Sequence, residues 1–178
     1  QARATDEKGL LIVFTGPGKG KTTAAFGMAL RAIGHGMPVG IVQFIKGGQA
    51  SAERTVFSHF DNVDFQVIGD GFTWVTQNRE QDIVTAERAW AEAERMISDP
   101  RYSLVILDEL NIVLKYGYLD LTRVLAAFAA RREELHIVVT GRNAPDALVA
   151  QADLVSEIRA IKHPYREQGV KAQKGIEF

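Results

Sequence analysis

Cysteine is missing from all 178 residues, which excludes a disulfide framework, a thiolate metal site and a cysteine nucleophile. Neither sign of charge prevails. With 21 basic residues against 22 acidic ones, the chain carries no electrostatic footprint for a nucleic-acid backbone, and none is expected as a partner. Long apolar runs are lacking as well. Leu10 to Phe14 and Leu104 to Leu107 fall far short of the roughly 20 residues needed to cross a bilayer. No signal peptide is visible, so a cytoplasmic protein without a membrane partner is expected.

Hydrophobic residues make up 46% of the chain, enough for a substantial core in one domain. Residues 1 to 8 are polar and mixed in charge and read as a flexible N-terminal arm, leaving 9 to 178 as a single α/β domain. Strand-like and helix-like segments alternate along it. Apolar runs at Leu10 to Phe14, Val39 to Phe44, Val63 to Ile68, Leu104 to Leu107 and Ile137 to Thr140 read as strands. Between them, Lys21 to Ile33 reads as an Ala-rich helix stopped by Gly34 and Gly36.

A longer helix is predicted from Arg79. Ile83, Ala86, Trp90, Ala93 and Ile97 keep its spacing, and Asn78 with Gln81 form a capping pair. Further helices are expected over Leu119 to Ala130 and Pro145 to Ala152, and extended chain over Leu154 to Ile161 and Val170 to Phe178. The stretch from Gly47 to Glu53 reads as a polar loop. Such alternation implies crossover connections and a three-layer, mostly parallel sheet.

Thr15-Gly16-Pro17-Gly18-Lys19-Gly20-Lys21-Thr22-Thr23 lies between a predicted strand and a predicted helix, where backbone N–H groups and a helix N-terminus converge on an anion. Its three glycines let the backbone approach phosphates, Lys21 reaches the outer phosphate oxygens, and the Thr22 hydroxyl can ligate Mg²⁺. This is a Walker A motif with one irregularity. Only Pro17, Gly18 and Lys19 separate Gly16 from Gly20-Lys21-Thr22, one residue fewer than the usual pattern. A shorter loop holds a triphosphate in a different pose, and the reacting phosphorus need not be the γ one.

Leu104 to Leu107 runs into Asp108 and Glu109, the acidic strand end that completes a P-loop metal shell. Either carboxylate can serve, and hard oxygen ligands suit Mg²⁺ or Mn²⁺. Thr140-Gly141-Arg142-Asn143 follows another predicted strand at the same sheet end, so Arg142 is in reach of phosphates or is a plain surface arginine. Gly71-Phe72-Thr73-Trp74 sets two large aromatics in a loop-like stretch, either as core packing or as a wall for a flat ligand. His163-Pro164-Tyr165 reads as a turn.

Taken together, Phe14 to Ala25, Gly34-His35-Gly36, Val42 to Gly47, Gly71 to Trp74, Leu107 to Leu110 and Lys171 to Ile176 resemble the cob(I)alamin adenosyltransferases of the bacterial cobalamin-synthesis and salvage type. The likeness runs from about residue 9 to the C-terminus. It implies a RecA-like P-loop domain that transfers the 5′-deoxyadenosyl group of ATP to the Co(I) of a reduced corrinoid, releasing inorganic triphosphate. The acceptor would be cobalamin, cobinamide or a pathway intermediate.

By the same resemblance, Lys21, the backbone amides of Gly18 to Thr22 and Arg142 stabilise the leaving triphosphate. Phe72 and Trp74 lie on the corrinoid side and help displace its lower axial ligand. Glu109 matches the metal carboxylate better than Asp108. A homodimer and a reduced flavoprotein donor such as flavodoxin are implied too. Residue chemistry alone reaches a magnesium-nucleotide enzyme, with a P-loop ATPase or small-molecule kinase, or a nucleotide-dependent switch protein, as alternatives.

Overall fold

The computed structural model describes residues 7–45, 52–68 and 78–177. Five apolar runs become parallel strands: β1 (Leu11–Thr15), β2 (Val39–Gln43), β3 (Val63–Val67), β4 (Leu104–Asp108) and β5 (His136–Thr140). A sixth, β6 (Leu154–Glu157), closes one edge, and the sheet order is β3-β2-β4-β5-β1-β6. All five pairings are parallel. Every strand therefore points its C-terminal end the same way.

The inner strands β1, β2, β4 and β5 are largely apolar because both faces of the sheet are covered there, while the edge strands β3 and β6 carry polar residues. Ile12, Ile41, Ile106 and Val138 pack on one face beneath α1 (Lys21–Gly34) and α2 (Ala52–Phe57), through Phe26, Ala29 and Phe57. Leu11, Val13, Val105, Leu107, Ile137 and Val139 face the opposite layer. There Trp90 of α3 (Arg79–Ser98) meets Phe128 of α5 (Leu121–Ala129), edge to face, with ring centroids 6.0 Å apart. Two buried clusters on either side of one sheet are the three layers expected.

The long helices follow their sequence signals. In α1, Ala25, Phe26, Ala29, Ala32 and Ile33 form the buried stripe. In α3, Ala86, Trp90, Ala93 and Ile97 are buried, and Asn78 caps the start by accepting the Gln81 amide at 3.2 Å. The remaining helices are α4 (Leu110–Lys115), α6 (Asp146–Gln151) and α7 (Pro164–Gln168).

Three expectations need correction. Helix α5 starts at Leu121, not Leu119, because the Asp120 carboxylate accepts the Thr122 amide and so caps it there. His163-Pro164-Tyr165 opens α7 rather than a bare turn, with His163 Nδ1 accepting the Tyr165 amide. The described part of the tail, 170–177, is not extended: the amides of Ile176 and Glu177 both turn back onto the Gln173 carbonyl. The expected polar loop lies partly outside the described residues, and its end is helical from Ala52. Residues 1 to 6 of the expected arm are likewise outside them, while Lys8 pairs with Asp153 at 2.5 Å.

Candidate active site

Four strand ends meet at the C-terminal edge of the sheet, where open α/β sheets bind ligands. Strand β1 delivers the glycine-lysine loop, β4 delivers Asp108 and Glu109, β5 delivers Thr140 to Arg142, and β2 delivers Gln43. A cleft of about 1380 Å³ opens there. Its polar wall includes Thr22, Thr23, Gln43, Asp108, Glu109 and Arg142, and its apolar wall Phe26, Leu30, Ile45, Val56 and Phe57.

The loop glycines divide into two kinds. Gly16 has φ +99°, and a Cβ there would stand 2.5 Å from the Ile158 carbonyl oxygen. A Cβ on Gly18 would meet the same oxygen at 2.7 Å, and the Gly18 amide already donates to it at 2.7 Å. These two glycines let the loop pack against the chain leaving β6. Gly20, at φ +108°, has no heavy atom within 4 Å of its would-be Cβ and faces open space. Of the three, it is the one left for a ligand to approach.

Lys21 is buried to 7% exposure, and its Nζ donates to the Gly18 carbonyl at 2.5 Å, curled back into the loop. Burial lowers its pKa; Glu109 opposes that, Arg142 adds to it, and Asp108 opposes it. Pro17, Lys19 and Thr23 lie on the exposed side of the loop, and Lys19 forms an ion pair with Glu177.

Asp108 is the hub. Its Oδ1 accepts from the Thr22 hydroxyl at 2.8 Å and the Thr140 hydroxyl at 2.7 Å, and its Oδ2 from Gln43 Nε2 at 2.9 Å. Burial pushes its pKa up, while the three donors favour the ionised form. Gln43 and Thr140 were not singled out as its partners by sequence reading. The available signal was a polar side chain ending an otherwise apolar strand.

Glu109 has a different environment. It sits at φ 63° and ψ 20°, a left-handed conformation that costs a non-glycine residue roughly 1–2 kcal/mol. Its amide donates to Thr140 Oγ1 at 2.9 Å, yet its buried Oε2 has no hydrogen-bond partner. Burial first, then the neighbouring Asp108, raises its pKa to about 7, against the pull of Lys21 and Arg142. A strained backbone and an unpartnered buried carboxylate oxygen at a cleft mark a position held for something other than stability.

Among the described residues no group of three or more His, Asp or Glu gathers to hold a metal. That donor set nonetheless suits Mg²⁺, which takes one or two carboxylates together with substrate phosphates and water. Thr22, Asp108 and Glu109 supply the hydroxyl and carboxylates. Phe72 and Trp74 lie outside the described residues.

A three-layer α/β fold whose parallel strand β5 lies between the phosphate-loop strand and the acidic strand is a P-loop nucleotide-binding fold. The family model for ATP:corrinoid adenosyltransferase BtuR/CobO/CobP matches residues 7–178, and the chain belongs to that family. It is 52% identical over 178 residues to the corrinoid adenosyltransferase of Pseudomonas aeruginosa, covering 99% of this chain and 87% of that one. It is 48% identical over 177 residues to the corrinoid adenosyltransferase CobA of Salmonella typhimurium, covering 99% and 89%. No described helix is long and apolar enough to cross a membrane.

Proposed function

We propose that this protein transfers the 5′-deoxyadenosyl group of ATP to the Co(I) centre of a reduced corrinoid and releases inorganic triphosphate. Family membership over residues 7–178 carries this reading. In the reaction the cobalt electron pair attacks C5′, a Co–C bond forms, and the C5′–O bond breaks with its electrons leaving on the triphosphate. Co(I) is the nucleophile, so no general base is needed.

The chain's work is to bind and neutralise the leaving group. Lys21 would turn from the Gly18 carbonyl onto phosphate oxygens, joined by the backbone amides of Lys19 to Thr23 and by Arg142 across the cleft. The Gly18 amide donates to the Ile158 carbonyl and would reach phosphate only by leaving it. Thr22 with Asp108 and Glu109 would hold Mg²⁺ or Mn²⁺, which supplies further charge neutralisation on the triphosphate. Gln43 and Thr140 keep Asp108 oriented, and Glu109 beside it keeps a buried carboxylate oxygen without a hydrogen-bond partner.

Phe72 and Trp74 are assigned to the corrinoid side, displacing the lower axial ligand so that Co(II) is easier to reduce. A homodimer in the cytoplasm, supplied with electrons by a reduced flavoprotein such as flavodoxin, completes the reading. Which corrinoid is preferred depends on contacts beyond the cradle.

The test is anaerobic incubation with MgATP and chemically prepared cob(I)alamin, following the cob(I) spectrum and the phosphate product. Loss of that spectrum with one triphosphate per turnover is expected, and orthophosphate instead would return the γ-phosphoryl alternative. Trp74→Ala should lose far more activity when cob(II) must be reduced on the enzyme than when cob(I) is supplied. Equal losses in both assays would remove Trp74 from the reduction step.

A further inference from the structure

The C-terminal tail shares a wall with the phosphate loop. Helix α7 is capped by Gly169, and residues 171–177 run on exposed, with the Ile176 and Glu177 amides turned onto the Gln173 carbonyl. Ala172, Gly175, Ile176 and Glu177 line the same cleft as Thr22, Asp108 and Arg142. No core contact anchors this segment through its apolar side chain, since Ile176 is 83% exposed. What ties it to the loop is the Glu177 carboxylate on the Lys19 ammonium, 158 residues away.

Lys19 lies inside the loop, between Gly18 and Gly20. A carboxylate and a phosphate present the same kind of anionic oxygen to an ammonium group. The Lys19 side chain is 50% exposed and the Glu177 side chain 21%, so the pair lies at the solvent boundary, where a multiply charged competitor can exchange with it. Triphosphate carries several charges and gains the rest of the cradle at the same time. It should therefore win Lys19 from a single tethered carboxylate.

We propose that Glu177 is a built-in competitor for the triphosphate: a tail carboxylate docked on Lys19 that incoming phosphates displace, lifting the tail from the mouth of the cleft. The proposal rests on the loop being a triphosphate site. With nucleotide absent, the Glu177 carboxylate holds the Lys19 ammonium, while Gly20 beside it stays open. After displacement Ala172 to Glu177 no longer narrow the cleft, and a bulky second substrate has a wider entrance. Substrate order follows, because nucleotide opens the way for the acceptor.

Inorganic tripolyphosphate with Mg²⁺ is the probe, measured by calorimetry on the full chain. Glu177→Gln should bind it about two- to fivefold more tightly at low salt, the range expected from removing one exposed ion pair. That gain should shrink at high salt and vanish in a Lys19→Ala background. Trypsin should release the tail after Lys171 and Lys174 faster from wild-type protein when tripolyphosphate is present. Unchanged or weaker binding by Glu177→Gln, or a tail that tripolyphosphate protects from cleavage, overturns the competitor role while leaving the loop assignment standing. A wild-type protein that fails to bind tripolyphosphate at all overturns the loop assignment itself.

Discussion

His136 opens strand β5, and its Nδ1 accepts the Leu10 amide at 3.1 Å, a role that requires the ring unprotonated at that nitrogen. Burial, with Arg131 nearby, lowers its pKa below the usual 6.5. Between the lowered folded value and 6.5 the unfolded chain binds more protons than the folded one. Stability is therefore complete above 6.5 and declines as the pH falls through the folded value. Urea unfolding at pH 7.5 and 5.5 should show a loss in the wild type that is smaller in His136→Asn, and equal losses would exclude His136 as the cause. The three loop glycines teach a related point at this scale. All three were legible as glycines of a phosphate loop, but the reason for Gly16 and Gly18 is Ile158, some 140 residues along the chain, which no local pattern exposes.

Among the elements, α1 carries a visible weakness. Gly27 sits in its interior, exposed, with no heavy atom within 4 Å of the position a Cβ would take and no left-handed φ to explain it. Glycine there costs about 0.5–1 kcal/mol relative to alanine. Gly27→Ala should raise the melting temperature by roughly 1–4 °C for a chain of this size, and a fall in a thermal scan would contradict the open geometry at that site. The easiest elements to read were β1 to β5, as short apolar-rich runs, and α1 and α3, which are long enough for a helical stripe to show. Helices α2, α4 and α7, of five or six residues, span too few turns to display a stripe. Helix α4 is further hidden because it starts from the left-handed Glu109 rather than from a capping side chain.

For the molecule as a whole, ligand binding must appear as stability, since a nucleotide that binds only the folded state shifts the unfolding equilibrium. At a hundred times its dissociation constant it adds about 2.7 kcal/mol, or roughly 5–11 °C in melting temperature at this chain length. MgATP should produce such a shift in the wild type and much less of one in Lys21→Ala at the same concentration. A full shift in that variant would show that Lys21 contributes little to holding the triphosphate. The Lys21 ammonium is already buried before any ligand arrives, so the variant removes a group whose desolvation the fold has already met.

The sequence by itself determined the class of this protein: alternating apolar runs specified a buried parallel sheet, and the glycine-lysine loop with the acidic strand end specified a nucleotide site. Those signals are local, set by spacing within about a dozen residues, and they persist in any chain that keeps the pattern. Tertiary structure alone decided that β5 separates β1 from β4, and that Asp108 rather than Glu109 receives Thr22, Thr140 and Gln43. It also decided that the tail returns to Lys19. Each of these joins residues between 32 and 158 positions apart. Such contacts are selected by the packing of whole layers, so their partners become visible only when the sheet is assembled.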